Sequence, residues 1–277
     1  MEPNVLIQTA GLYKKFSKNL RTSMVHGLQD WAGTFLPLSS PELSLRTGEF
    51  YAANDINLRL NAGEILAVVG VNGSGKTSLM RLISGIYQPD AGTIFRQPAT
   101  KLTAIFALNV GMQALYTGRE NIFLKGAMYG MSRREIEEKM AFIADFSELG
   151  DHLDHPFGNY SSGMRARLSY SIAMATEPDV FIIDESLAVG DSAFKAKCLD
   201  NLREFVAGPG KGVIFVSNQI RKVQKIADRI LVMDKGRIVH ENQDITAGLE
   251  YYIRNCYVHL GPEKQSMKMK KVKGYEL

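Results

Sequence analysis

The sequence predicts an α/β protein in which helices cover both faces of a parallel sheet. Short apolar runs alternate with segments of helical spacing along the 277 residues, which is the order that such folds show. Three runs are apolar almost throughout, as expected for strands buried on both faces, and they cover 64–70, 179–185 and 212–218. A glycine-rich turn follows the first run directly and precedes a helical segment, which is typical of a phosphate-binding fold.

The other elements are predicted from local patterns. Residues 18–50 contain Trp31, prolines and serines without a sustained period, so we expect an excursion from the core there. Residues 119–147 have helical spacing, with Ser132 as the N-cap of a second helix, and they predict a helical subdomain. The run 229–240 has Asp-Lys-Gly at its centre and predicts a hairpin at the edge of the sheet.

These elements predict one domain over residues 1–255, followed by a short basic tail at 256–277. Within the domain, the helical subdomain covers about 107–164 and the excursion about 18–50. The tail is predicted to be flexible because it has few apolar residues. Its lysines are either a solvated charge run or a group that attracts anionic lipid.

The composition argues against several classes of protein. A net charge of +4 is too weak to predict a nucleic-acid surface, and we expect no nucleic-acid partner. Cys198 and Cys256 are far apart and lack a neighbouring Cys-x-x-Cys or His pair, so neither a disulfide framework nor a zinc site is predicted. The chain shows no leader pattern and no run of about eighteen apolar residues, so we expect a cytosolic protein whose membrane role is peripheral.

The strongest chemical signal is the pattern Gly-x-x-x-x-Gly-Lys-Thr at 70–77, called the P-loop below. In this pattern backbone N–H groups wrap phosphate oxygens, Lys76 reaches the terminal phosphates and Thr77 offers its hydroxyl to Mg²⁺. Gly73 and Gly75 are expected to adopt backbone conformations that a Cβ would strain. The predicted nucleotide-binding residues are Gly70, Asn72, Gly73, Ser74, Gly75, Lys76, Thr77 and Ser78.

Two carboxylates end the apolar run that begins at Asp179. They are Asp184 and Glu185, and the strand delivers them to its carboxyl end, where ligands bind in open α/β sheets. Asp184 is predicted to hold Mg²⁺ through water, and Glu185 to orient and polarise the attacking water. Together with the P-loop, the pair predicts Mg²⁺-dependent hydrolysis of a nucleoside triphosphate.

A second anion-binding pattern lies at 160–164, where Tyr-Ser-Ser-Gly-Met precedes a basic helical segment. We call it the signature turn. Ser161, Ser162 and Gly163 lie just ahead of a helix N-terminus, where the helix dipole favours an anion. The alternative is that the serines cap that helix and do no more.

The signature turn, the pair Asp184–Glu185 and the following Ser-Leu-Ala-Val-Gly-Asp resemble the signature motif, Walker B motif and D-loop of ABC ATPases. The resemblance implies a RecA-like core with an antiparallel β part and a helical subdomain. It also implies a head-to-tail dimer in which the signature turn of one copy contacts the ATP held by the other, with Asp191 of the D-loop in a catalytic role.

The stretches 116–140, 157–174 and 182–198 narrow the resemblance to ATPases that export bacterial cell-surface polymers. That group implies an integral membrane permease as partner, docked on the region 118–140, and a lipid-linked polymer as indirect cargo. Wall teichoic acid is our first choice, since O-antigen exporters often carry a larger C-terminal domain, and capsular polysaccharide is a further alternative. The chain is therefore expected at the cytoplasmic face of the membrane.

Three positions depart from the ABC pattern. Asn218 stands where the family has a switch histidine, and it cannot carry an imidazolium charge, so hydrolysis is expected to be slower. This leaves a nucleotide-gated dimerisation switch as an alternative function. Gln113 lies a few residues later than the family's Mg²⁺-binding glutamine. For the aromatic ring that stacks on adenine we predict Phe16, with Tyr13 and Tyr51 as alternatives.

Overall fold

A computed structural model describes residues 4–19, 21, 24, 27, 44–106, 110–184, 192–257 and 262–274. The strands are β1 Val5–Ser17, β2 Glu49–Ile56, β3 Arg59–Asn61, β4 Ile65–Gly70, β5 Ala91–Arg96, β6 Leu102–Ile105, β7 Val180–Ile183, β8 Gly212–Val216, β9 Arg229–Asp234 and β10 Arg237–Asn242. The helices are α1 Lys76–Ile83, α2 Gly118–Met128, α3 Arg133–Ser147, α4 Ser162–Ala175, α5 Ser192–Ala207, α6 Ile220–Ile226, α7 Ile245–Cys256 and α8 Pro262–Lys273.

The chain divides into two compact units, and strand β4 contributes residues to both. Unit 1 comprises Met1–Leu60, Val68–Gln97 and Arg229–Leu277, and unit 2 comprises Asn61–Ala67 and Pro98–Asp228. The predicted limits of the domain, 1–255, and of the tail, 256–277, are drawn from the extent of the motifs and not from contacts. They stay a prediction.

An antiparallel sheet occupies the first part of unit 1. Strand β1 lies at its centre and pairs with β2, β3 and β5, antiparallel with β2 and β5. The buried Thr9 of β1 ties the strand to the segment after β2, because its hydroxyl donates to the Ile56 carbonyl at 3.0 Å and accepts from the Leu58 N–H at 2.8 Å. A buried hydroxyl with both partners is stabilising, whereas an unpaired one is costly.

Strands β9 and β10 form the predicted hairpin at the edge of the second sheet, which also contains β4, β6, β7 and β8. They pair antiparallel, and β10 is the terminal strand. Lys235 and Gly236 form the two-residue turn with φ of 45° and 80°, and positive φ at both positions is what this kind of tight hairpin turn requires. Helix α7 packs on both strands and helix α8 packs on α7.

In unit 2, the parallel strands β6, β7 and β8 lie side by side in that order, with β4 next to β8. Strands β7 and β8 are buried throughout, as their apolar sequences predict. Their carboxyl ends meet at one edge, since Val180 is paired with Gly212 and Ile183 with Phe215. This register brings the residues that follow each strand, including Asp184, to the same edge of the sheet.

The helical part of unit 2 contains α2, α3 and α4, which pack on a shared apolar core. Thr117 and Ser132 each open a helix with a capping box, in which a glutamate three residues on returns the hydrogen bond. The predicted cap at Ser132 is therefore confirmed. Helix α4 also has an apolar face, because Leu168, Ile172 and Ala175 lie in the core and Met164 packs against it.

The prediction of a flexible tail is wrong for residues 262–273, which form α8. Val272 is fully buried, the Gln265 side chain donates to the Tyr257 carbonyl at 2.8 Å, and the Lys268 ammonium lies 4.1 Å from the centroid of the Tyr257 ring. Packing therefore stabilises this helix despite its polar composition.

Most of the excursion predicted for 18–50 lies outside the described residues. None of the described helices has both the length and the apolar character to cross a bilayer.

Candidate functional site

The P-loop leaves the end of β4 and enters α1, as the sequence predicts. Gly73 and Gly75 have φ of 82° and 103°, so the expected left-handed conformations are confirmed. A Cβ on Gly75 would lie 2.2 Å from the Ala52 carbonyl oxygen, and one on Gly70 would lie 2.4 Å from the Met233 carbonyl oxygen. The loop can therefore pass between these backbones only where glycine stands.

The turn of the β9–β10 hairpin is hydrogen-bonded to the P-loop. The Gly236 N–H donates to the Ser74 carbonyl at 2.9 Å, and the Asn54 N–H donates to the Gly236 carbonyl at 2.8 Å. The hairpin thus fixes the loop to strand β2. The sequence predicts the hairpin itself, but no local pattern predicts its contact with the P-loop.

The Lys76 side chain folds across the P-loop. Its ammonium donates to the carbonyls of Gly70 at 2.7 Å and Val71 at 3.0 Å, and lies 3.4 Å from the Ser74 hydroxyl oxygen. The N-cap of α1 is Gly75, which has no side chain to cap the helix, and the positive dipole end of α1 lies directly after the P-loop. This arrangement can bind the oxygens of a phosphate chain.

The remaining P-loop side chains differ in exposure. Ser74 is buried, Ser78 is half-buried, and Asn72 and Thr77 are exposed at the surface of the loop. The Thr77 hydroxyl is therefore accessible, and its role as a Mg²⁺ ligand stays a prediction.

Asp184 lies directly after β7, where its N–H donates to the Ile105 carbonyl at 3.3 Å. It lines a small cavity of about 20 Å³ together with Ser217 and Lys222. Asn218 is half-buried and follows Ser217, so the predicted Mg²⁺ ligand Asp184 and the predicted catalytic residue Asn218 lie just after neighbouring strands. Glu185 and Asp191 lie outside the described residues.

The signature turn caps helix α4. The Ser161 hydroxyl accepts from the Met164 N–H at 3.2 Å, so Ser161 is the N-cap of α4, and the role of the turn toward a nucleotide stays a prediction. The preceding turn is fixed by Arg165, whose guanidinium donates to the carbonyls of Tyr160 at 3.0 Å and Gly158 at 2.9 Å. A pocket of about 570 Å³ opens at the turn, and it is lined by Glu148, Leu149, His152, Ser161, Ser162, Gly163, Met164 and Arg167.

The backbone around Gln113 is held by two buried side chains of α2. The Asn121 side-chain amide accepts from the Gln113 N–H at 2.7 Å and donates to the Gln113 carbonyl at 3.0 Å. The Lys125 ammonium donates to the Val110 carbonyl at 3.2 Å, and burial lowers the pKa of Lys125 to about 8. The exposed Gln113 side chain lies at the surface. Sequence reasoning missed both α2 residues, which read as ordinary polar positions of a helix.

Phe16 belongs to an aromatic group at the end of β1. Its ring centroid lies 5.4 Å from that of Tyr87 and 6.3 Å from that of Phe50, whereas Tyr13 pairs with Tyr51 at 5.9 Å. All three candidates for the adenine contact therefore make ring contacts within unit 1, and the assignment of Phe16 stays a prediction.

A family model described as "ABC transporter" matches residues 53–188. The ABC transporter protein AbcA of Aeromonas salmonicida is 41% identical over 194 residues, which are 70% of this chain and 62% of that protein. The teichoic acids export ATP-binding protein TagH of Listeria monocytogenes is 37% identical over 80% of this chain and 66% of that protein. The O-antigen export system ATP-binding protein RfbB of Klebsiella pneumoniae is 38% identical over 70% of this chain and 78% of that protein. The chain belongs to the ABC transporter family.

The predicted resemblance to ATPases that export cell-surface polymers is confirmed, since TagH and RfbB are named as export ATP-binding proteins. The chain nevertheless spans under two thirds of the length of AbcA and TagH. The fold is also that of an ABC cassette. A dimeric structure of a post-hydrolysis state of the ATP-binding cassette MJ0796 bound to ADP and Pi superposes with a TM-score of 0.67 at 19% identity, over 86% of this chain and 98% of that one. The structure of cbiO1 from Clostridium perfringens gives 0.65 at 18% identity, over 95% and 98%.

Proposed function

We propose that this ABC transporter protein is the ATP-hydrolysing, nucleotide-binding subunit of an exporter for a lipid-linked cell-surface polymer. The observation that carries the proposal is the P-loop, whose glycines adopt the left-handed conformations and close backbone approaches described above. Lys76 and the first turn of α1 add positive charge at the same place, so the loop suits a nucleoside triphosphate.

The donor set fits Mg²⁺. The described residues contain no cluster of three His, Cys, Asp or Glu side chains that could hold a metal by itself. Mg²⁺ at a nucleotide needs fewer protein ligands, because it takes one or two protein oxygens and completes its coordination shell with phosphates and water. Thr77 and Asp184 would supply those oxygens, with Gln113 as a further ligand, and the ion would neutralise charge on the phosphates.

Hydrolysis would use the residues around the carboxyl ends of β7 and β8. In this proposal Glu185 orients and polarises the attacking water, and Lys76 draws charge from the terminal phosphate. Asn218 can donate a hydrogen bond to a phosphate oxygen but adds no positive charge. Phe16 would stack on the adenine.

A second copy of the chain would complete each site. The pocket at the signature turn of each copy is lined by Ser161, Ser162 and Gly163 and lies at the N-terminus of α4, so it suits the triphosphate bound by the other copy. Asp191, which lies outside the described residues, would act at the same interface. ATP binding would then drive head-to-tail dimerisation.

An apolar groove on the helical part of unit 2 supports the proposed permease partner. The groove has a volume of about 460 Å³ and lies between α2 and α3, and its lining residues are Tyr116, Glu120, Phe123, Leu124, Ala127, Met131, Arg133 and Ile136. Next to it, Leu115 is 91% exposed. A groove of this size fits one turn or two of a partner helix. Binding there would place the chain as a peripheral protein on the cytoplasmic face of the membrane.

For the cargo, wall teichoic acid remains the first proposal, and O-antigen or capsular polysaccharide is the alternative. Relatives of the first two kinds are similarly identical to this chain, at 37% and 38%. A deletion strain that keeps its polymer on the cytoplasmic side identifies the cargo directly, and the chemistry of the retained polymer decides between them. Complementation by the wild-type chain, but not by a Lys76→Met variant, provides the control.

The ATPase proposal is tested by turnover of the purified full chain with and without Mg²⁺. We expect Lys76→Met to abolish ATP binding and Glu185→Gln to retain binding with little turnover. Undiminished hydrolysis by Glu185→Gln would falsify its role. ATP binding and dimerisation with negligible turnover in the wild type, raised by Asn218→His, would instead favour the nucleotide-gated switch.

A further inference from the structure

The end of helix α3 carries a residue that its local structure does not favour. Glu148 is the C-cap of α3 and has φ 56° and ψ 32°, a left-handed conformation that glycine or asparagine adopts more readily. A carboxylate at this end of a helix is also repelled by the negative pole of the helix dipole. Two unfavourable features at one residue indicate that its side chain makes favourable contacts with other parts of the structure.

The Glu148 carboxylate bridges two other helices. One oxygen, Oε2, accepts from the Arg167 guanidinium on α4 at 2.6 Å, and Oε1 accepts from the Lys197 ammonium on α5 at 2.6 Å. The hydrogen bond from Lys197, and then the bond from Arg167, hold the pKa of Glu148 below its ordinary value, so the carboxylate is charged at neutral pH.

Aromatic rings fix the two cations in place. Arg167 lies over the Phe194 ring of α5 at 4.8 Å, and Lys197 lies over the Phe146 ring of α3 at 4.5 Å. Lys197 also donates to the Phe146 carbonyl at 3.0 Å, which satisfies a carbonyl in the last turn of α3. Arg167 therefore contacts both α3 and α5, Lys197 contacts α3, and the three helices are joined through one carboxylate.

The position of this cluster along the chain gives it a role in the proposed reaction. Helix α4 begins at the signature turn, and Glu148 and Arg167 line the same pocket as Ser161. Helix α5 begins one residue after Asp191, the last residue of the predicted D-loop. Glu148 therefore adds a charged link between α4 and α5, next to their direct contact between Arg167 and the Phe194 ring.

We propose that Glu148 is a positioning residue that couples the signature helix α4 to helix α5, so that engagement of the partner copy's nucleotide at the signature turn is relayed to α5. The inference rests on the proposed function, because it needs an ATP-driven dimer. It assigns to Glu148 no contact with nucleotide. The pair Glu148–Lys197 carries the coupling, and Arg167 connects it to the signature turn.

The test compares full-length variants for turnover and nucleotide affinity separately. Glu148→Gln keeps the size of the side chain but removes its charge, and we expect kcat for ATP to fall about fivefold while the Kd for a fluorescent ATP analogue at the P-loop changes less than about twofold. Lys197→Met should reproduce the fall and Lys197→Arg should restore most of it. The double variant Glu148→Gln/Lys197→Met should be no worse than either single one, because both remove the same link.

The matched control is Asp200→Asn, which removes an exposed ion pair between α5 and Lys225. It should leave kcat unchanged. An unchanged kcat in Glu148→Gln, an equal loss in the control, or additive losses in the double variant would overturn the inference while the proposed function stands. Absence of ATP hydrolysis in the wild type would overturn the proposed function first, and this inference with it.

Discussion

The buried Lys125 gives the sharpest prediction for stability, through the variant Lys125→Met. Lys125 is 3% exposed, and its ammonium donates to the Val110 carbonyl at 3.2 Å and lies 5.8 Å from the centroid of the Tyr129 ring. Burial lowers its pKa from 10.5 to about 8, whereas burial raises the pKa of the nearby Tyr129 to about 12. Tyr129 therefore stays neutral over the pH range in which Lys125 titrates.

The size of the effect follows from these two pKa values of Lys125. Each pKa unit corresponds to about 1.4 kcal/mol, so holding the charged ammonium in the folded protein costs about 3 kcal/mol at pH 7. Between about pH 8 and 10.5 the unfolded chain binds more protons than the folded one, and stability therefore rises with pH across this window. By pH 9.5 the cost falls to about 1.5 kcal/mol.

Lys125→Met removes the charge and loses one hydrogen bond, worth about 1 kcal/mol. We expect the variant to be about 2 kcal/mol more stable than the wild type at pH 7, and nearly equal to it at pH 9.5. Urea unfolding followed by circular dichroism at both pH values measures this, with the exposed Lys101→Met as control. A stability difference that is the same at both pH values would show that the Lys125 ammonium is not desolvated, and would refute the reasoning.

Three further predictions follow from single contacts. Gly75→Ala should destabilise the protein by about 3 kcal/mol and Gly73→Ala by about 1 kcal/mol, because both have positive φ but only Gly75 has a carbonyl in the way of a Cβ; equal urea midpoints would contradict this. Ser132→Ala should cost about 1 kcal/mol by loss of the capping box, and an unchanged Tm would argue against it. Cys198, whose pKa burial raises to about 12, should react with a thiol reagent at pH 8 far more slowly in the native than in the unfolded chain.

The local parts of the candidate site were predictable because their sequence encodes their backbone. The glycines of the P-loop predict left-handed conformations at Gly73 and Gly75, and the apolar run before Asp184 predicts a buried strand that ends at that carboxylate. In both cases the residues that determine the geometry lie within a few positions of each other.

The long-range parts were not predictable from one sequence. Gly236 supports the P-loop from a position 162 residues after Ser74, and nothing in the hairpin pattern identifies that contact. Glu148 is a stronger case, since C-cap preferences predict glycine there and its partners on α4 and α5 are known only from the fold. Helix α8 was missed because packing on α7, and not its own composition, stabilises it.

The two interpretations of the signature turn, helix cap and anion site, are chemically compatible. A serine hydroxyl has two acceptor lone pairs and one donor proton, and the cap at Ser161 uses only an acceptor. The proton can therefore be donated to a phosphate of the partner copy. Ser161→Asp separates the roles, since aspartate caps a helix as well as serine but adds a negative charge. We expect this variant to unfold at the wild-type urea midpoint but to lose ATP-dependent dimerisation in sedimentation, whereas Ser161→Ala should lose about 1 kcal/mol of stability as well. Normal dimerisation of Ser161→Asp would mean that the turn only caps α4.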